Sequence, residues 1–206
     1  RLPADVEDEA ERRTWIVRMR GAIAPMLAAK QKDVIASTIH AIGHLGVDGE
    51  LEGLLEHGQS EHAELRFAVA CVLGPCSDAR AVPALIELSR DEDADVRDYA
   101  CLGLGTQQAE VDTSELREAL FERLEDEHPE VRAEAQLGLA RRGDRRVLPF
   151  VRDALLAEEV VDLTVEAATS LPSRELLPGL QALAATWPEP EAIDAAIDAC
   201  EGVREG

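Results

Sequence analysis

Aromatic side chains are scarce in this chain: two Trp, one Tyr and three Phe in 206 residues. A core without rings must be built from aliphatic and small side chains. Ala and Leu supply it here, and both favour helix and let neighbouring helices approach closely. Alternating runs of β-branched residues are missing too, which excludes a sheet. Bases are outnumbered, 21 against 42 acids, for a net charge of −21. That leaves too little positive charge to neutralise phosphates, so nucleic acid is excluded as a partner, and an anionic membrane surface with it. No apolar run approaches the ~18–20 residues that cross a bilayer. The longest, Gly21 to Ala29, is interrupted by Pro25. A secretory signal is absent from the sequence, and four cysteines without framework spacing point to free thiols in a reducing cytoplasm.

What the chain does contain is repetition. The phrases LRFAVACVLG (from Leu65), VRDYACLGLG (from Val96) and VRAEAQLGLA (from Val131) recur roughly every 31 to 35 residues, with weaker copies from Val34, Leu163 and Ile193. A period of this length marks stacked helical pairs. Four positions into each copy stand Thr38, Val69, Ala100, Ala135, Ala167 and Ile197. Eight positions in stand Ile42, Leu73, Leu104, Leu139, Leu171 and finally Glu201. Spacings of four and eight put these side chains on one helix face, which is the buried one. The ninth position is Gly43, Gly74, Gly105 and Gly202 in four copies. Glycine there suits a helix end that needs a left-handed residue.

A second helix follows each first one after a short turn, in segments such as SDARAVPALIEL (from Ser77), GDRRVLPFVRDAL (from Gly143) and SRELLPGLQAL (from Ser173). Asp or Ser at the start accepts bonds from free backbone amides. Pro83, Pro149 and Pro178 fall in the first turn or two, where a missing N–H costs least. Pro25 marks residues 22–30 as the second helix of a degenerate first repeat. Asp194, Asp198 and Glu201 give the last copy the polar outer face of a cap. The organisation expected is one domain over 1–206, with an N-terminal capping repeat at 1–30 and a C-terminal cap at 190–206.

This pattern resembles the HEAT repeats, in particular the short bacterial kind named after the phycobilisome-lyase proteins. The residues that carry the resemblance are Leu65-Arg66, Val96-Arg97 and Val131-Arg132, the alanines four positions into the copies, and the turn Asp78, Arg80, Pro83, echoed by Asp144, Arg146, Pro149. The resemblance covers about residues 22–202. It implies an all-α, right-handed α–α superhelix of about six helical pairs. It also implies an inter-repeat ladder placing Arg66, Arg97 and Arg132 beside turn acids such as Asp78 and Asp144, and a concave face made of the second helices that binds protein.

Two enzymatic kinds of HEAT protein carry marks that this sequence does not match. Deoxyhypusine-type di-iron hydroxylases carry repeated His-Glu pairs, but none of the five histidines here is followed by Glu, and His57, His62 and His128 are preceded by it instead. Bilin lyases imply a roomy cleft with aromatic contacts, whereas the six aromatics are scattered over different repeats. His40 and His44 lie four apart, with Cys71 in matching register one repeat on. That spacing can chelate a metal, yet with no fourth ligand or supporting carboxylate the three read as ordinary stack residues. The expectation is therefore a non-catalytic scaffold or adaptor without metal or cofactor, bacterial, cytoplasmic and monomeric, with a HEAT-type enzyme or accessory as the alternative. A start at Arg1 also leaves room for a longer array.

Two basic stretches break the acidic background. One is residues 12–32, with Arg12, Arg13, Arg18, Arg20, Lys30 and Lys32 around Trp15 and two methionines. It reads as a cap or a partner-docking helix. The other is ARRGDRR, with Arg141, Arg142, Arg145 and Arg146, where guanidinium groups either neutralise turn acids or take an acidic partner, Arg141 and Arg142 standing at the rim of the second-helix face. The binding residues expected on the face are Arg80, Glu87, Glu118, Glu122, Arg145 and Arg152.

Overall fold

The computed structural model describes residues 9–47, 49–184, 187 and 190–203. Among these it contains twelve α-helices and no strand. The first helices of the repeats are α2 (Lys32–Leu45), α4 (Ala63–Leu73), α6 (Ala94–Leu102), α8 (Pro129–Arg141), α10 (Asp162–Ser170) and α12 (Pro190–Glu201), each packed on the next in one layer. The second helices are α3 (Leu51–His57), α5 (Ala81–Leu88), α7 (Ser114–Glu122), α9 (Leu148–Leu155) and α11 (Leu177–Leu183). The core runs between the two layers as one continuous cluster. It holds the residues that the four- and eight-residue spacings single out: Val69, Ala100, Ala135, Ile42, Leu73, Leu104 and Leu139 are all fully buried. Leu171 is half-buried and Glu201 exposed, as the array ends.

The caps differ from expectation at one end. The chain over residues 22–30 is not a second α-helix. Helix α1 (Glu9–Ile23) runs into it, and Ala24–Ala28 follows as a 3-10 turn with Pro25 near its start. Proline lacks the N–H that would let the α-helix continue through it. Both pieces pack on α2, yet α1 has no buried residue. At the other end Ile193, Ala196 and Cys200 are buried on α12 while Asp194, Asp198 and Glu201 face solvent. Residues 1–8 and 204–206 of the expected caps lie outside the described residues.

The ninth-position glycines are not left-handed helix ends. Positive φ occurs only at Gly46, Gly49 and Gly143 among the described residues. Gly43, Gly74 and Gly105 are right-handed and serve helix crossing. A Cβ on Gly43 would sit 2.6 Å from Val72, and one on Gly103 would lie 3.2 Å from the Cα of Gly74. Gly105 and Gly138 meet in the same way: a Cβ on Gly138 would fall 2.6 Å from the Cα of Gly105. Without Cβ atoms the backbones of successive first helices touch, and sequence periodicity alone does not separate that role from a C-cap.

The longest repeat contains a π-helical segment, Gly103–Gln107, which continues α6 and closes with a 2.8 Å bond from the Gln108 amide to the Gly103 carbonyl. Gln108 then reaches back across the stack and donates to the carbonyls of Gly74 and Cys76.

Candidate functional site

The arginines that begin the first helices are structural, but their partners differ from those expected. The buried Arg66 grips Asp91 with Nε and Nη2 at 2.6 and 2.7 Å. Arg97 does the same to Asp126 at 2.8 and 2.9 Å. The Nη1 groups bind backbone carbonyls of the preceding turn, Ser60 for Arg66, Asp91 and Glu92 for Arg97, Asp126 and Glu127 for Arg132. Asp78 and Asp144 take no part in this ladder. They lie at the opposite end of the first helices, and the 11 residues of α4 alone put about 16 Å between those ends at ~1.5 Å per residue. Asp78 pairs instead with Arg80, and Asp144 with Arg146 and Arg117. Burial is the largest single influence on the Asp91 and Asp126 carboxyls and pushes them up, but the forked hydrogen bonds from Arg66 and Arg97, the backbone amides of Asp93 and His128 and the nearby guanidinium charge together hold both below the ordinary carboxylate value.

The cluster Arg141, Arg142, Arg145 and Arg146 is largely committed within the molecule. Arg142 donates to five backbone carbonyls, those of Leu104, Gly105, Gln108, Val111 and Gly138. A guanidinium has five N–H groups, so Arg142 has none left for a partner. Its role is to clamp the π-helical end of α6, and burial lowers its pKa there. Arg141 bridges Thr106 and Glu166 in the first-helix layer, away from the second-helix face. Arg146 holds Asp144 and reaches Glu118 at 2.7 Å, with its guanidinium 4.6 Å over the ring of Phe121. Arg145 is exposed and has no side-chain partner among the described residues.

The remaining expected residues gather on the second helices. Arg90, two residues past the end of α5, reaches Glu122 on α7 at 2.9 Å and Glu87 in the last turn of α5 at 3.6 Å. Arg123 ties the same junction by donating to the carbonyl of Ser89. From α7 the chain of contacts passes through Glu118 to Arg146, and Phe121 meets Phe150 of α9 edge-to-face at 6.0 Å. Arg152 pairs with its neighbour Asp153. The face over α5, α7 and α9 therefore carries linked charges and one aromatic pair. The aromatics are less scattered than their positions suggest, since Phe67 and Tyr99 also pair, at 4.6 Å.

Elsewhere His40 and His44 are exposed on α2 and Cys71 half-buried on α4. Among the described residues no group of three or more His, Cys, Asp and Glu is arranged to hold a metal. All four cysteines are free thiols, and burial pushes Cys71 up to about 11. In the N-terminal basic stretch, Arg13 pairs with Glu9 and Lys32 with Glu64, while Arg20 donates to the carbonyl of Gly46. No described helix is long and apolar enough to cross a membrane.

Two further features depart from the sequence expectations, the first unforeseen and the second a correction to the ladder. Glu134 on α8 is buried with one oxygen unpaired, and burial raises its pKa to about 7, helped by the nearby charge of Asp98. Arg132, third in the ladder, has no carboxylate partner among the described residues. The change from Asp at Asp91 and Asp126 to the turn Ala157-Glu158-Glu159 is the signal that could have found it.

Paired helices in register, glycine-mediated crossings and a buried Arg–Asp ladder define an α-solenoid, and within it residues 82–172 match the profile described as HEAT repeats. The chain is similar to protein YibA of Escherichia coli, 36% identical over 134 residues, which are 65% of this chain and 47% of YibA. It thus spans about half the length of that relative. The X-ray structure of YibA superposes with a TM-score of 0.74 at 27% identity, over 92% of this chain and 70% of the other. An engineered protein gives 0.70 at 15% identity, over 89% and 99% of the two chains. A designed armadillo repeat protein in complex with the peptide (KR)4 gives 0.60 at 16% identity, over 87% and 98%. The last two speak to the fold alone.

Proposed function

We propose that the protein is a non-catalytic scaffold or adaptor, cytoplasmic and monomeric, that recognises a protein partner on its second-helix face. The observation that carries this reading is the continuity of that face over α5, α7 and α9. Charges of both signs, Arg80, Glu87, Glu118, Glu122, Arg145 and Arg152, stand on or beside the second helices of three successive repeats, two of which also carry the Phe121–Phe150 pair. Extended faces of this kind suit a partner laid across several repeats. The armadillo design with its bound peptide illustrates the use of such a fold. The finer resemblance to the lyase-like bacterial repeats belongs to this reading too.

The test compares wild type with the triple variant Arg80→Glu, Arg145→Glu, Arg152→Glu in affinity capture from native lysate, with circular dichroism on both. Arg142 is left alone because its substitution would damage the fold. A partner held by wild type and lost by the folded variant supports the reading. Equal capture by both proteins moves the partner off this face and overturns it.

A further inference from the structure

The Arg–Asp ladder has two closed rungs and a third that stays open. In Arg66 and Arg97 the Nε and Nη2 edge holds both oxygens of an aspartate at 2.6 to 2.9 Å. Arg132 repeats the backbone half of this arrangement, with Nη1 on the carbonyls of Asp126 and Glu127 at 2.7 and 3.0 Å. Its Nε and Nη2 edge has no partner among the described residues. The following turn offers Ala157, Glu158 and Glu159 where the earlier turns offer a short aspartate.

Arg132 lines a pocket of about 300 Å³ between α8, α9 and α10. Two further polar side chains line it. Gln136 is 4% exposed, its Oε1 is buried without a partner, and its amide makes no hydrogen bond among the described residues. Thr164 is 2% exposed and its hydroxyl has no partner among them either. Buried polar groups are almost always hydrogen-bonded. Although Gln136 Oε1 is itself an acceptor, the Nε2 group of the same amide has two N–H donors to offer an anion. The walls include Leu124 and Phe150. We propose that this pocket binds a carboxylate, gripped by Arg132 in the forked manner of its two siblings and supported by Gln136, with a short apolar stem against Phe150 and Leu124. Guanidinium matches a carboxylate in shape as well as charge. Two acids also line the pocket. Asp153 is paired with Arg152, whereas the exposed Glu159 has no ion-pair partner among the described residues and opposes an incoming anion.

The carboxylate belongs either to a free small acid or to an acidic side chain of a protein. The proposal does not depend on the adaptor reading, since a small acid occupies the pocket without one. The experiment follows the arginine Nε–H signals of the whole chain by NMR during titration with sodium propionate, with sodium chloride at equal ionic strength as reference. A capped Asp-Leu dipeptide serves in a second arm. The Arg132 signal is expected to move saturably with propionate and not with chloride, while those of Arg66 and Arg97 stay in place. Gln136→Leu, which removes an unpaired buried amide, should keep the melting temperature at or above wild type and weaken binding about tenfold. Glu159→Gln should tighten it about threefold. Tighter binding of the dipeptide assigns the carboxylate to a protein, and equal or tighter binding of propionate assigns it to a small acid. An Arg132 signal that follows chloride and propionate alike overturns the proposal, as does unchanged affinity in a folded Gln136→Leu protein.

Discussion

The two layers of this solenoid are held together by different physics. In the first-helix layer, glycine crossings bring backbones into contact and the ladder pairs are buried: the side chains of Arg97 and Asp126 are 7% and 6% exposed. In the second-helix layer the links between repeats are open to water, as in Arg90 and Glu122 at 41% and 46%. Close packing and buried, fully bonded charges are intolerant of change, whereas exposed pairs contribute little and are screened. One layer specifies the stack, and the other is free to carry recognition.

The contrast can be broken first at Asp126. Asp126→Ala would leave Arg97 buried with two donors unpaired, at an expected cost of about 3–5 kcal/mol, read by urea denaturation. The same depressed carboxyls set an acid limit. Asp91 and Asp126 contribute stability that is present above their unfolded value and is lost as pH falls through the lower folded value, so the decline belongs below about pH 4.

Next comes the crossing of α6 and α8. Gly138→Ala would place a Cβ against Gly105 and Leu120, and overpacking of this kind costs about 1–3 kcal/mol. Thermal denaturation should show the loss, and an unchanged melting temperature would mean that the layer is soft enough to admit the extra methyl.

Glu134 sharpens the comparison in the opposite sense. A carboxyl raised from 4.5 to about 7 has no cost to the fold below its unfolded value, and its full cost appears above the folded value. Stability should therefore fall between about pH 4.5 and pH 7 in wild type. Glu134→Gln should remove that slope and add about 1–2 kcal/mol at pH 8 once solvent screening is allowed for. A slope that persists in the variant would assign it to another group.

The second-helix layer should respond least. Glu122→Gln opens the exposed pair with Arg90, with an expected loss of about 0–1 kcal/mol that disappears at about 0.5 M salt. A loss as large as that of Asp126→Ala would erase the distinction between the layers.

Much of this architecture was legible in the linear order of residues, and the limits of that legibility are physical. The recurrence of Val or Leu with Arg, and of small and large aliphatics four and eight places on, determined helical pairs and their buried faces, while the ladder came only as what the family resemblance implies. Those signals repeat with helix geometry, which is local. The candidate face was legible only in part. Glu118, Glu122 and Arg152 do lie on second helices, but Arg142, equally conspicuous in its basic run, is locked onto carbonyls 31 to 38 residues away.

Which acid answers which arginine was settled only by stacking. Asp78 and Asp91 both stand in turns, and only the folded repeat puts one at the arginine end of α4 and the other at its far end. The ninth-position glycines, Glu134 and the open edge of Arg132 belong to the same class. Each gains its meaning from a neighbour about one repeat away, and the distance across that gap is set by how closely successive helices pack.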